Sequence, residues 1–255
     1  MITRRSVLLS PAAALLAQGV RVTVNWVWLD GDDFPTGVED SSVVFTRAYV
    51  ADPRVDGNRR AALAGKFPTA ISQGSPTIES ILNDARIPYV EGRDGSGIVV
   101  FVGQGEGSGF TERSIRVPVA IRYPGVLTPR LSSGVLLSVV DLMPTVLSLC
   151  GIMAPEGTQG RDLAPLLRQQ SGDLPESVFV QGERWRTVIR GYDKLVTDLS
   201  GVPEYLYHLA EDPNEQTNLV RDPKARLTRD ALAALVQLWL RRLSDRIDPS
   251  GLKQR

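Results

Sequence analysis

Two adjacent carboxylates, Asp32 and Asp33, follow an apolar and β-branched run from Val20 to Leu29. If that run is a strand, the pair lies at its C-terminal end, the edge where open α/β sheets bind ligands. Carboxylate oxygens there suit Ca²⁺ or Mg²⁺. The alternative is a solvated polar cap on the strand. The rest of the chemical inventory is narrow. One His, His208, excludes a multi-His metal site, and one Cys, Cys150, excludes a cysteine metal cluster and an intramolecular disulfide. Any Ser-His-Asp or Cys-His arrangement has to run through His208.

The elements that position these groups alternate. Val20 to Leu29 is nearly continuous in apolar residues, the pattern of a strand buried on both faces. Val43 to Val50 reads as a second short strand. Asn58 reads as an N-cap for a helix from Arg59 to Ala64, with Gly65 as its stop. Ser75-Pro76 opens another helix, in which Ile78, Ile81, Leu82 and Ala85 share a face. Ile98 to Val102 is a strand leading into the glycine-rich run Gly103 to Gly109, and Val117 to Tyr123 is another. Asp141 caps a helix through Cys150, closed by Gly151. This alternation predicts an α/β layered domain.

From about Ser177 the texture changes. Val178–Val180, Thr187–Arg190, Leu195–Thr197 and Tyr205–Leu209 are short, closely spaced and separated by Gly, Asp and Pro, which predicts an antiparallel meander. Leu232, Leu235, Val236, Trp239 and Leu243 trace one face of a final helix, with Leu238 and Leu240 widening the arc. The polar stretch Arg168 to Glu176 is the expected boundary.

The chain has 255 residues, with 29 Lys and Arg against 29 Asp and Glu, so no net charge draws it to nucleic acid or to acidic membranes. At the N-terminus, Arg4 and Arg5 precede an apolar run from Val7 to Ala17. As a helix that run rises about 16 Å, too little to span a bilayer, and small residues near Ala17 permit cleavage. Residues 1–18 therefore read as an export signal, with a periplasmic or secreted product. Thr3-Arg4-Arg5-Ser6-Val7 resembles a twin-arginine signal. A mildly amphipathic N-terminal helix is the alternative. No later segment has the 18 apolar residues of a membrane span. The expected organisation is the signal, an α/β domain over residues 19–170, and a small sheet with a helix over residues 171–255.

Four motifs in order give the chain a resemblance. They are Ser114-Ile115-Arg116-Val117-Pro118 with Ile121-Arg122-Tyr123-Pro124-Gly125, and Val140-Asp141-Leu142-Met143-Pro144-Thr145 with Gly151-Ile152. Then come Gly160-Arg161-Asp162-Leu163, and Glu204-Tyr205-Leu206-Tyr207-His208-Leu209 with Asp212-Pro213-Asn214-Glu215. Together they resemble the sulfatase family of the alkaline-phosphatase-like superfamily. The resemblance implies a mixed sheet flanked by helices, with a small C-terminal antiparallel sheet plus helix. It also implies sulfuric ester hydrolysis, a Ca²⁺ or Mg²⁺ site, and a sulfate ester or sulfated glycan as substrate.

The resemblance assigns residues as well. Asn25 with Asp32 and Asp33 matches the spacing of the family's first strand and metal ligands. Counting back from Gly65, Arg59 falls on the family's sulfate-binding Arg and is the candidate catalytic residue. Arg59 can meet an oxyanion bidentately at a helix start; a surface cation on an Ala-rich helix is the alternative. Val55 falls on the nucleophile, a Cys or Ser that active relatives oxidise to formylglycine. A hydrocarbon side chain can neither be oxidised to an aldehyde nor form a covalent intermediate. In the second metal half-site Gly103 stands where the family has Asp, and Gln104 where it has His or Asn. A Gln104 amide oxygen can still ligate a hard cation, without the carboxylate's charge. The family's active-site Lys and His segment is nearly absent between Gln73 and Gly97. His208 stands at a structural Asp position.

These readings leave three functions open: a family member impaired in catalysis by Val55, a noncatalytic relative that binds a sulfated or phosphorylated ligand, and an active hydrolase with an altered site.

Overall fold

A computed structural model describes residues 22–31, 33–168 and 174–244. Residues 1–18, expected to be an export signal, and Asp32 lie outside the described residues. The strands are β1 (Val24–Trp28), β2 (Val43–Phe45), β3 (Ala48–Tyr49), β4 (Tyr89–Glu91), β5 (Ile98–Val102), β6 (Val119–Arg122), β7 (Leu131–Ser133), β8 (Leu137–Ser138), β9 (Ser177–Gln181), β10 (Trp185–Arg190), β11 (Asp193–Asp198) and β12 (Pro203–His208). The helices are α1 (Val38–Ser41), α2 (Val55–Ala64), α3 (Ile78–Asp84), α4 (Glu112–Ile115), α5 (Leu142–Leu149), α6 (Ala164–Leu167) and α7 (Arg226–Ser244).

The main sheet is mixed, in the order β4-β1-β5-β6-β2-β7. Strand β1 pairs in parallel with both β4 and β5, with Trp26 opposite Glu91 and Trp28 opposite Val102. All of β5 is inaccessible to solvent, as its unbroken apolar sequence requires. Its side chains alternate between two cores. Ile98, Val100 and Val102 join the large core, while Val99 and Phe101 pack with Leu29, Val38 and Ala120 on the opposite face. Helix α2 lies over the large core through Ala61 and Ala62. It stops at Gly65, whose φ of 59° suits glycine, and where a Cβ would come within 2.7 Å of Met143 Cε.

The second sheet is an antiparallel meander in the order β12-β11-β10-β9. Helix α7 covers one face, placing Leu232 and Val236 against Val188, Leu195 and Leu206. Further along the same helix, Trp239 and Leu243 enter the large core beside Val178, Val180 and Ile189. The two sheets therefore share one apolar interior.

Both predicted layers stand as expected, and the local differences have physical causes. Helix α2 begins at Val55, not Arg59, so Asn58 is inside its first turns and buried rather than capping it. The Asn58 amide oxygen instead accepts the Ala51 backbone N–H at 3.0 Å. Arg59 consequently lies in the second turn, not at the helix start. Ser114 and Ile115 belong to helix α4, and the strand after them is confined to Val119–Arg122. Asp141 is the N-cap residue of α5, but its carboxylate makes no capping bond to that helix; it accepts the Ser138 N–H at 2.9 Å and the Arg161 N–H at 2.7 Å. Leu238 faces solvent on α7, leaving the narrower arc of Leu232, Val236, Trp239 and Leu243 buried.

Candidate active site

Three parallel strands end at one edge of the main sheet. Strand β4 delivers Glu91, β1 delivers Trp28 and then Asp30 and Gly31, and β5 delivers Gly103 and Gln104. The β1 and β5 loops touch: a Cβ on Gly103 would lie 3.2 Å from the Gly31 carbonyl oxygen. The N-terminal turn of α2 faces the same edge. Val55, Asn58 and Arg59 line a cleft with Trp28, Gln104 and Gly105, and its volume is about 20 Å³. That is room for a single water molecule. Val55, Arg59 and Gln104 thus border one cleft.

Asp52 holds the entrance of α2. Its fully buried carboxylate accepts from the Arg54 backbone N–H at 2.9 Å, from Arg54 Nε at 3.0 Å and from Arg54 Nη2 at 2.6 Å. A carboxylate under the first turn of a helix also meets the positive end of its dipole. A Cβ on Gly57 would fall 2.2 Å from Asp52 Oδ2, so the first turn of α2 rests directly on this side chain. Sequence reasoning passed over Asp52, although an Asp just before a helix is the usual signal for such bonding.

Val55, 50% exposed, is the first residue of α2. Arg59 Nη2 donates to Glu91 Oε1, and its guanidinium carbon lies 5.2 Å from the Trp28 ring centroid. The Trp28 indole N–H donates to the same Glu91 oxygen at 2.5 Å. The cation implied as the sulfate holder is therefore already occupied by a carboxylate, which the sequence reading did not anticipate. Burial, with Glu91 next, raises the pKa of the neighbouring Tyr89 hydroxyl.

The donors described for a divalent cation are sparse. Asp33 is exposed and Gln104 offers one neutral oxygen. Among the described residues no group of three or more His, Cys, Asp and Glu side chains could hold a metal ion. Ca²⁺ takes about 6–8 oxygens and Mg²⁺ a near-octahedral six, so these two side chains do not make such a site. Gly103 has a steric reason to be glycine. The Pro118 ring occupies the space of a side chain there, with Pro118 Cγ 2.4 Å from where a Cβ would sit.

The other singled-out residues lie away from this cleft. His208 bonds through Nδ1 to Asp193 Oδ1 at 2.9 Å, directly across the β11–β12 pair. Cys150 is buried, which pushes its thiol up to about 12. Glu112 and the Asp212–Glu215 motif form a structural tie. Lys194, completely buried on β11, meets Glu112 Oε1 at 3.3 Å and Glu215 Oε1 at 2.6 Å. Glu215 Oε2 accepts the Glu112 backbone N–H at 2.7 Å, and Tyr49 donates to Glu112 Oε2 at 3.2 Å. No spacing rule in the sequence pairs residues so far apart.

Comparison with known proteins bears on ancestry. The family described as N-sulphoglucosamine sulphohydrolase, C-terminal, matches residues 109–239. An endo-4-O-sulfatase of Bacteroides thetaiotaomicron is 41% identical over 63 residues, 24% of this chain and 12% of that protein. A Delta 4,5-hexuronate-2-O-sulfatase of the same organism is 32% identical over 126 residues, 45% of this chain and 26% of that protein. The chain thus spans about a quarter or less of the length of these curated relatives. In fold it is similar to a 2-O GAG sulfatase, with a TM-score of 0.74 and 15% identity, covering 91% of this chain and 94% of that one. The matched segment is just over half of the 255 residues and carries the four ordered motifs, and the mixed sheet with its C-terminal meander agrees, so the chain belongs to the sulfatase family.

Proposed function

We propose that this chain is a sulfatase-family protein, related to sulfuric ester hydrolases, in which ester cleavage is impaired. The observation that supports this reading is Val55 at the head of α2, in the same cleft as Arg59 and Gln104. A hydrocarbon there supplies no attacking atom, and no other side chain of the cleft is a Cys or Ser. Arg59 keeps the planar fork that pairs with sulfate or phosphate oxygens. A second reading, noncatalytic binding of a sulfated or phosphorylated ligand, requires that ligand to displace Glu91 from Arg59. Asp32, Asp33 and Gln104 are the remnants of the metal side in this reading. A divalent cation held there would supply positive charge to the transferring group, and Gly103 adds no carboxylate to hold it.

The test is turnover of an aryl sulfate and an aryl phosphate by purified protein with Ca²⁺ or Mg²⁺, together with intact-mass analysis for an adduct. No turnover above the uncatalysed rate is expected, and none from Val55→Ser, whose effect on stability stays within about 0.5 kcal/mol at so exposed a position. Turnover that survives Val55→Ala but is lost in Asp32→Asn would instead establish an active hydrolase with an altered site.

Export by residues 1–18 is part of the same proposal, with the mature chain in the periplasm or secreted. Among the described residues no helix is long and apolar enough to cross a membrane. The mature N-terminal mass after expression reads this directly. Retention of the full precursor in an Arg4→Lys, Arg5→Lys variant would assign the twin-arginine route.

A further inference from the structure

We propose that Glu91 is an internal anion that sets the charge the cleft admits. Its carboxylate takes the donors that a sulfate oxygen would otherwise take, and inorganic sulfate binds once that charge is removed. This rests on reading the Arg59 cleft as an oxyanion subsite.

Two donors from different elements converge on one atom. Arg59 comes from α2 and Trp28 from β1, and both donate to Glu91 Oε1, the indole at 2.5 Å. The guanidinium is held over the Trp28 ring, so its orientation is fixed from a second side. Glu91 is exposed, but its backbone is fixed in the sheet. Strand β4 pairs it opposite Trp26, and the next residue, Gly92, donates its backbone N–H to the Trp26 carbonyl at 2.8 Å. Carboxylate and sulfate oxygens satisfy a guanidinium with the same charge-assisted geometry. They compete for the donors and repel each other when close. While the carboxylate stays in place, the Arg59 and Trp28 donors that border the cleft are taken.

The experiment is isothermal titration with sodium sulfate at constant ionic strength, with chloride as the control. The proteins are wild type, Glu91→Gln, Glu91→Ala and Glu91→Gln with Arg59→Met. Gln keeps an acceptor for the Trp28 N–H at nearly the same size, and Ala opens the space if an amide still fills it. Sulfate affinity rises about tenfold or more in at least one Glu91 variant, the gain expected from one restored charge-assisted contact. Arg59→Met removes that gain. Unchanged sulfate affinity in both Glu91 variants overturns the proposal, as does a gain that survives Arg59→Met or is reproduced by chloride. Because equilibrium affinity is read, this result is separate from the proposed impairment. Ester cleavage by the wild-type protein overturns the impairment, whereas an unchanged affinity overturns the role of Glu91.

Discussion

Lys194 Nζ, with no solvent exposure, lies 2.6 Å from Glu215 Oε1 and joins the C-terminal meander to the loop that follows it. The same ammonium reaches Glu112 on α4 at 3.3 Å. The charged triad is thus a polar joint at the edge of an otherwise apolar interface.

Removing one member of a buried charged set costs more than the set itself contributes, because the partners are left unpaired. Lys194→Met leaves two carboxylates together and is expected to lose about 3–5 kcal/mol in urea unfolding. Adding Glu112→Gln and Glu215→Gln to Lys194→Met should recover part of that loss. A Lys194→Met protein as stable as wild type would show that the triad does not hold the two parts together.

Pro118 leaves no room for a side chain at residue 103. A Cβ at residue 103 meets Pro118 Cγ at 2.4 Å and Cδ at 2.5 Å. Gly103→Asp is expected to cost about 1–3 kcal/mol by overpacking and to leave Ca²⁺ binding undetectable by calorimetry at micromolar concentrations. Pro118→Ala in the same protein should restore much of the melting temperature. Tight Ca²⁺ binding by Gly103→Asp alone would refute this steric account.

Asp212 organises the turn before Asn218. The backbone N–H of Gln216 donates to its carboxylate at 3.0 Å and that of Thr217 at 2.8 Å, and these bonds hold its pKa below the ordinary carboxylate value. The native state therefore favours the ionised form. Its contribution is present above about pH 4, the unfolded carboxylate value, and is lost as pH falls through the lower native one. The stability difference between wild type and Asp212→Ala should be constant near neutrality and shrink in acid. Denaturant unfolding across pH reads it, and a difference that grows in acid would contradict the assignment.

Cys150 follows α5 and is buried, so its thiol is pushed up to about 12 by desolvation. At pH 8 the native thiolate fraction is about one in ten thousand. Iodoacetamide should leave the native protein unmodified over hours and label it once in urea, as followed by mass. Rapid labelling of the native chain would mean that the helix end opens.

The order of elements was legible because it rests on local periodicity. The unbroken apolar run Ile98–Val102 had to be a strand covered on both faces, and both cores use it. The closely spaced β-branched segments after Ser177 had to form a meander, and the apolar face of α7 had to close it. The ordered motifs likewise pointed to the sulfatase family. Val55, Arg59 and Gln104, singled out by the family resemblance, border one cleft. What a linear reading missed was set by contacts between distant residues. Asn58 looked like a helix cap because Asn caps helices, but Asp52 moved the start of α2 to Val55.

The sequence by itself determined the alternation of elements and put a hydrocarbon at residue 55 and uncharged side chains at residues 103 and 104, since these follow from residue type and periodicity. Only the tertiary structure decided that Glu91 neutralises Arg59, that Pro118 fills the space beside Gly103 and that Lys194 binds Glu112 and Glu215. The reason is physical. Side-chain pairing depends on which strand ends and loops the sheet order brings together, and that order is fixed by burial of the whole apolar interior rather than by any local pattern.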